Sequence, residues 1–205
     1  MPFFRQFYRV GLALVLIGTA TPAPALDFIN PLSIIKGAVE AAVEDRSAED
    51  IAKDLEIKTK ITAQVIDEMG SDVISISSDV YEQDVMLTGT VETEAQKENA
   101  GAITAAIEDV KTVHNQIMVV QPVAKEKGAV ENFVDDTVIE TKINGLFLDA
   151  RGVNVTNFRW RSVGGHVFLF GRALSAEEND KATGIAEGID DVVSVANLAK
   201  IRAKD

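Results

Sequence analysis

Cysteine is absent from this 205-residue chain, which excludes disulfides, thiolate zinc sites, cysteine nucleophiles and any lipid anchor attached through an N-terminal Cys. Histidine is scarce, His114 and His166 being the only two. Neither stands in a pattern that a catalytic triad or a His-rich metal site would need, and both fall on or beside strand-like segments. The sequence has no Gly-rich phosphate loop, Gly-x-Ser-x-Gly elbow or His-Glu-x-x-His helix. Cations are in short supply as well: 20 Lys and Arg face 32 Asp and Glu, a formal net charge of −12. That balance argues against a general nucleic-acid binder, which needs basic residues to neutralise phosphates. The acidic pairs Glu108-Asp109 and Asp190-Asp191 read as helix-to-strand turns in preference to Ca²⁺ ligands. No catalytic residue, metal or cofactor is expected.

Long apolar runs are also missing, apart from residues 10–20. Arg5 and Arg9 precede that run and Ala23-Pro24-Ala25 follows it, the three parts of a secretory signal. About 11 apolar residues fall short of the roughly 20 that span a bilayer. Residues 1–25 are therefore expected to be removed by cleavage after Ala25, leaving a soluble periplasmic protein of net charge −14. The rest is of ordinary globular composition, 46% hydrophobic and 25% charged overall, so a buried core is expected.

What the sequence does have is an internal repeat. A shift of 82 positions aligns Asp54 with Asp136, Ile57 with Ile139, and Thr59-Lys60-Ile61 with Thr141-Lys142-Ile143. The same register, without a gap, aligns Val85, Leu87 and Gly89 with Val167, Leu169 and Gly171, and Asp109-Val110 and Asn115 with Asp191-Val192 and Asn197. Two copies of one module follow, residues 47–120 and 129–202, joined by a polar linker over 121–128 that Pro122 opens and Gly128 closes. Residues 26–46 lie outside the repeat. Ile35, Ala38, Val39, Ala42 and Val43 give them the spacing of a short amphipathic lead-in helix.

Periodicity assigns both modules the order α-β-β-α-β. In the first, Ser47 caps a helix that runs to Gly70, residues 73–78 and 85–91 form a hairpin around polar 79–84, Thr93 to Gln96 caps a second helix, and 110–120 is the last strand. In the second, the helix spans 134–148, the hairpin 155–162 and 166–172, a capping box starts at Ser175, and the last strand is 192–201. The predicted fold is α+β: each module a three-stranded sheet with two helices on one face. Gly89 and Gly171 precede the second helix at the same place in each copy, where a close approach or an unusual backbone angle would demand glycine.

This element order resembles the BON domain. The resemblance rests on Val85-Met86-Leu87-Thr88-Gly89 and Val167-Phe168-Leu169-Phe170-Gly171, and on Ile-x-Asp-Val-x-x-Val-x-Asn at 107–115 and 189–197. A signal segment followed by two such modules is similar to the tandem-BON proteins of the Gram-negative envelope. The resemblance implies a non-enzymatic protein that binds phospholipid membranes or envelope proteins and supports envelope integrity or osmotic stress tolerance; a chaperone-like role towards unfolded or outer-membrane polypeptides is the alternative. It also implies lipid contact through the first helix of the second module. Here, however, that stretch carries Glu131, Asp135, Asp136 and Glu140 against Lys142 alone, a poor match to anionic headgroups.

The copies diverge on one face. Residues 47–120 hold five Lys and no Arg against 15 carboxylates, while 129–202 hold eight Lys and Arg against 11. Where the first copy has Ser77, Asp79, Met86, Thr88 and Thr90, the second has Arg159, Arg161, Phe168, Phe170 and Arg172. Strand alternation places the shared Val and Leu towards the helices and these five residues on the opposite face, uncovered by their own helices. A face of two Phe and three Arg marks a contact. Arg159, Arg161, Phe168, Phe170 and Arg172 are thus the candidate lipid- or partner-binding residues. The alternatives are packing on the acidic first module, an envelope-protein partner, anionic lipid, or a misassigned face.

Overall fold

The first described helix begins where its first free amides find a partner: the Ser47 hydroxyl accepts from the amide of Asp50 at 3.1 Å. Helix α1 (Ala48–Met69) runs from there to Gly70. The computed structural model describes residues 45–70, 75–120 and 135–202. The predicted signal segment, the lead-in helix up to residue 44 and the linker lie outside the described residues. After α1 come strands β1 (Ser77–Tyr81), β2 (Asp84–Thr88) and β3 (Thr90–Val91), helix α2 (Glu94–Ala105), and strands β4 (Thr112–Asn115) and β5 (Met118–Val119). The second module repeats this as α3 (Asp136–Asp149), a 3₁₀ turn (Val155–Asn157), β6 (Phe158–Val163), β7 (His166–Ala173), α4 (Ala176–Glu187), β8 (Ser194–Asn197) and β9 (Lys200–Ile201).

Each module is the expected α+β unit. In the first, β1 pairs antiparallel with β2, and β2 pairs parallel with β4. In the second, β6, β7 and β8 do the same. The helices bury their apolar stripes on one side of the sheet: Ile57, Ile61 and Val65 of α1 and Ala100 and Ile103 of α2 pack on Val80, Val85 and Leu87. Their counterparts Ile139, Ile143 and Phe147, with Ala182 and Ala186, pack on Phe158, Val167 and Leu169. Ring edges of Phe147 meet Phe158 and Trp160 at 5.7 and 5.4 Å between centroids, adding directional contact to the apolar burial.

The hairpins differ from the expected register. The polar stretch 79–84 is not a connecting loop: Asp79 to Tyr81 belong to β1, Asp84 opens β2, and the turn is only Glu82 and Gln83, both at positive φ (52° and 66°). Its polarity misled because Asp79 and Asp84 are buried among cations from residues far away in sequence. In the second module residues 155–157 form a 3₁₀ turn, so the strand starts at Phe158 instead of 155.

The last strand of each module is also interrupted. The carboxamide oxygen of Asn115 accepts from the amide of Ile117 at 3.3 Å, and its nitrogen donates to the Lys97 carbonyl on α2 at 2.7 Å. Asn197 repeats the arrangement with the amide of Ala199 and with Asn179 and Thr183 of α4. Satisfying these groups off the ladder kinks the strand, and pairing resumes as β3 with β5 and β7 with β9.

Candidate interaction surface

The second face of each sheet carries the residues that alternate with the core. Asp79, Tyr81, Met86 and Thr88 point away from the helices of the first module, and Arg159, Arg161, Phe168, Phe170 and Arg172 away from those of the second. These two faces are packed against each other. Tyr81, Met86, Phe168 and Phe170 form one buried cluster, with Val163, Ala196 and Leu198 packed around it. Phe168 is 7% and Phe170 2% exposed. His114 meets Phe170 edge-on at 5.8 Å.

Ion pairs ring this apolar centre. Arg161 pairs with Asp79, donating one hydrogen bond from Nη2 to Oδ1 at 3.1 Å while its Nε lies 2.8 Å from Oδ2 off hydrogen-bonding alignment. The contact is a charge-assisted hydrogen bond reinforced by close approach of the two charges. Lys58 of α1 approaches the same carboxylate at 3.4 Å, and Glu140 of α3 lies 3.9 Å from Arg161. Arg172 reaches Glu82 at 2.5 Å and the carboxylate and carbonyl of Asp45 at 3.2 and 3.0 Å. Lys200 pairs with Asp84, and Arg202 with Asp45. Above Tyr81 lie two guanidiniums, Arg46 at 4.1 Å and Arg159 at 5.6 Å from the ring centroid, a cation–π arrangement.

The five candidate residues are therefore brought together, and the first module covers them. Arg172 and Arg161 remain partly reachable at the edge, while the two Phe are closed off. A shallow groove borders the contact, lined by Ser77, Thr88, Thr90, Glu140, Arg161 and Val163. His166 lies at the far end of β7, its Nδ1 2.8 Å from the Ser194 hydroxyl. Among the described residues no group of three or more His, Asp or Glu is placed to hold a metal, and no helix is long and apolar enough to cross a membrane.

Burial by itself would raise the pKa of Asp79, but the charges of Arg161, Lys58 and Arg159 outweigh it and hold the carboxyl below its ordinary 3.8. Asp79 in turn holds the Arg161 guanidinium above its usual value. A carboxyl depressed in the folded state contributes stability above its unfolded pKa and loses it as pH falls through the folded one. Module pairing is thus expected to be constant from pH 7 to about 5 and to weaken below about pH 4. X-ray scattering should show a larger radius at pH 3 in the parent and a smaller pH-dependent change in Asp79→Asn. Equal expansion of the two would remove Asp79 as the responsible group.

Two residues with a structural role stood in the repeat alignment without one being assigned. Asp54, 4% exposed, accepts from the amides of Glu82 and Gln83 at 2.8 and 2.7 Å. Asp136 accepts from the amides of Gly164 and Gly165 at 2.7 and 2.9 Å and from the Ser162 hydroxyl at 2.6 Å. In both modules a carboxylate on the first helix holds the hairpin turn.

Comparison with known proteins bears on both modules. The family model described as "BON domain" matches residues 53–121 and again 135–203. "Osmotically-inducible protein Y" of Escherichia coli (strain K12) is 30% identical over 149 residues, which cover 73% of this chain and 73% of that protein. A protein of Anaplasma centrale, described only by its position beside another gene, is 28% identical over 128 residues, covering 62% of this chain and 82% of its own. Among solved structures, CdsD, a structural protein of the type III secretion system of Chlamydia trachomatis, overlaps 73% of this chain and 94% of its own. The likeness is weak, with 11% identity and a TM-score of 0.32.

Proposed function

Because the chain belongs to the BON-domain family, we propose that it is a non-enzymatic binding protein of the periplasm, exported through cleavage after Ala25, that supports the cell envelope under osmotic stress through contacts with phospholipid or envelope proteins. The observation that carries this reading is the match of both modules to the family, together with the similarity of most of the chain to an osmotically inducible relative. The surface that would serve it is not the Phe168 and Phe170 face, which the first module covers. It is sought on the outside of the helices, where Val138, Leu146 and Leu148 of α3 are 45%, 46% and 66% exposed. The acidic residues of that helix favour a weakly charged membrane or a protein over an anionic surface. The chaperone-like alternative needs an exposed aromatic surface, and Phe168 and Phe170 are buried.

Flotation with zwitterionic and with anionic vesicles, run beside an aggregation-suppression assay, tests the proposal. The expected result is recovery with zwitterionic vesicles that added anionic lipid does not improve, and no suppression of aggregation. Suppression without flotation would replace it with the chaperone-like reading. Absence of both, with no envelope protein cross-linked in intact cells, would overturn it.

A further inference from the structure

The two modules meet as a symmetric dimer would, although they belong to one chain. Asp79 and Arg161 occupy the same position in the repeat, 82 residues apart, yet they touch at 2.8 Å. Equivalent residues meet each other at the axis of an isologous, twofold contact. The flanking positions are arranged in mirrored pairs as well. Arg159 lies beside Tyr81, and their counterparts Ser77 and Val163 line one groove together. Arg172 reaches Glu82, and its counterpart Thr90 lines that groove beside Val163, the neighbour of Glu82's counterpart Gly164.

A true twofold would set like against like at the axis, and here the sequence has diverged to prevent it. Each module brings one residue of its first helix and one of its first strand to this place, and both charges are inverted between copies. Lys58 and Asp79 in the first become Glu140 and Arg161 in the second, so the four charges alternate in sign through successive ion pairs of 3.4, 2.8 and 3.9 Å. The apolar centre is also unlike on its two sides, Tyr81 and Met86 of the first module meeting Phe168 and Phe170 of the second. Two first modules would oppose Asp79 to Asp79. Two second modules would oppose Arg161 to Arg161 with four Phe crowded between them.

We infer that Lys58, Asp79, Glu140 and Arg161 are the specificity determinants of this interface, making it accept only a module of the opposite charge pair: within the chain, its own other module, and between chains, the unlike module of a second copy. The inference is independent of which ligand the protein binds. Like charges placed opposite one another in a partly buried contact reject the wrong partner, and the inverted pair supplies the attraction for the right one. Association of two chains through these faces then requires that they exchange modules.

Charge exchange in the full chain tests this. K58E/D79R gives both modules the Glu–Arg pair, and E140K/R161D gives both the Lys–Asp pair. Each alone is expected to lose module pairing, read by small-angle scattering as a larger radius that shrinks back towards the parent's as salt rises. All four substitutions together should restore the parent's radius. An equimolar mixture of the two variants should give a species of twice the mass by light scattering, where neither variant does alone. Parent-like radii in the separate variants at low salt would overturn the inference, as would failure of the fourfold exchange to restore pairing while circular dichroism shows both modules folded. Should the reversed variants not fold, the neutral D79N and R161Q decide through a double-mutant cycle on acid- or salt-induced expansion. Coupling between the two positions supports the inference and additivity refutes it.

Discussion

Gly89→Val and Gly171→Val are each expected to lower the melting temperature of the module that carries them by more than about 10 °C. The backbone at these residues has φ +115° and +111°, a region that a β-branched residue cannot occupy without strain. Space is denied as well. A Cβ on Gly89 would run into the carbonyl oxygen of Ser75, and one on Gly171 into that of Asn157. Because the obstacle is backbone, no side chain can swing aside to relieve it. Strained backbone at about 1–3 kcal/mol and forced displacement of a packed strand at about 1–3 kcal/mol together remove a large fraction of the stability of a small module. Calorimetry should show a transition of the substituted module lowered by more than about 10 °C, the other module melting nearer its parent temperature. Gly→Ala at the same places should give a smaller loss of the same kind. Parent-like melting of both Val variants would mean that neither residue holds the strand crossing as described.

These glycines were readable in the sequence because the 82-residue register set them opposite each other. The same register gave the core: Val85 and Leu87, Val167 and Leu169 alternate with residues of another character and are buried against the helices as that alternation requires. It gave the divergent face too, since Arg159, Arg161, Phe168, Phe170 and Arg172 stand where the first copy has smaller or acidic residues. Long-range pairing was not readable. Asp79 and Asp84 looked like loop residues because a carboxylate is stable inside a sheet contact only when a cation meets it. Those cations, Arg161 and Lys200, are supplied from far along the chain. The break in the last strand was hidden for a related reason: Asn115 and Asn197 satisfy backbone and helix groups with one carboxamide, and hydrophobic periodicity does not register hydrogen bonds. The register of a hairpin depends on its turn. The turn in each module is held by a carboxylate nearly thirty residues upstream.

Removing that carboxylate should therefore damage the fold almost as much as the glycine substitutions. Asp54 lies against Arg46 in a contact where both side chains are about as buried as the core, 5% and 4% exposed, and it accepts from two consecutive turn amides and from the Gln83 carboxamide at 3.2 Å. In Asp54→Ala the amides of Glu82 and Gln83 lose their acceptor and Arg46 loses its neighbouring charge. Breaking a buried pair of this kind costs about 3–5 kcal/mol. Asp136→Ala should cost less, about 1–3 kcal/mol, because Gly164 is exposed and water can take over its amide. The ordering follows from the environment, since the two carboxylates do the same work in the same place. Asp54→Asn offers a finer check: the amide group keeps one acceptor of similar shape and loses the charge beside Arg46, so its melting temperature should fall between those of the parent and Asp54→Ala. If Asp54→Ala melted no lower than Asp136→Ala, burial of the turn and of Arg46 would not be what sets the value of this contact.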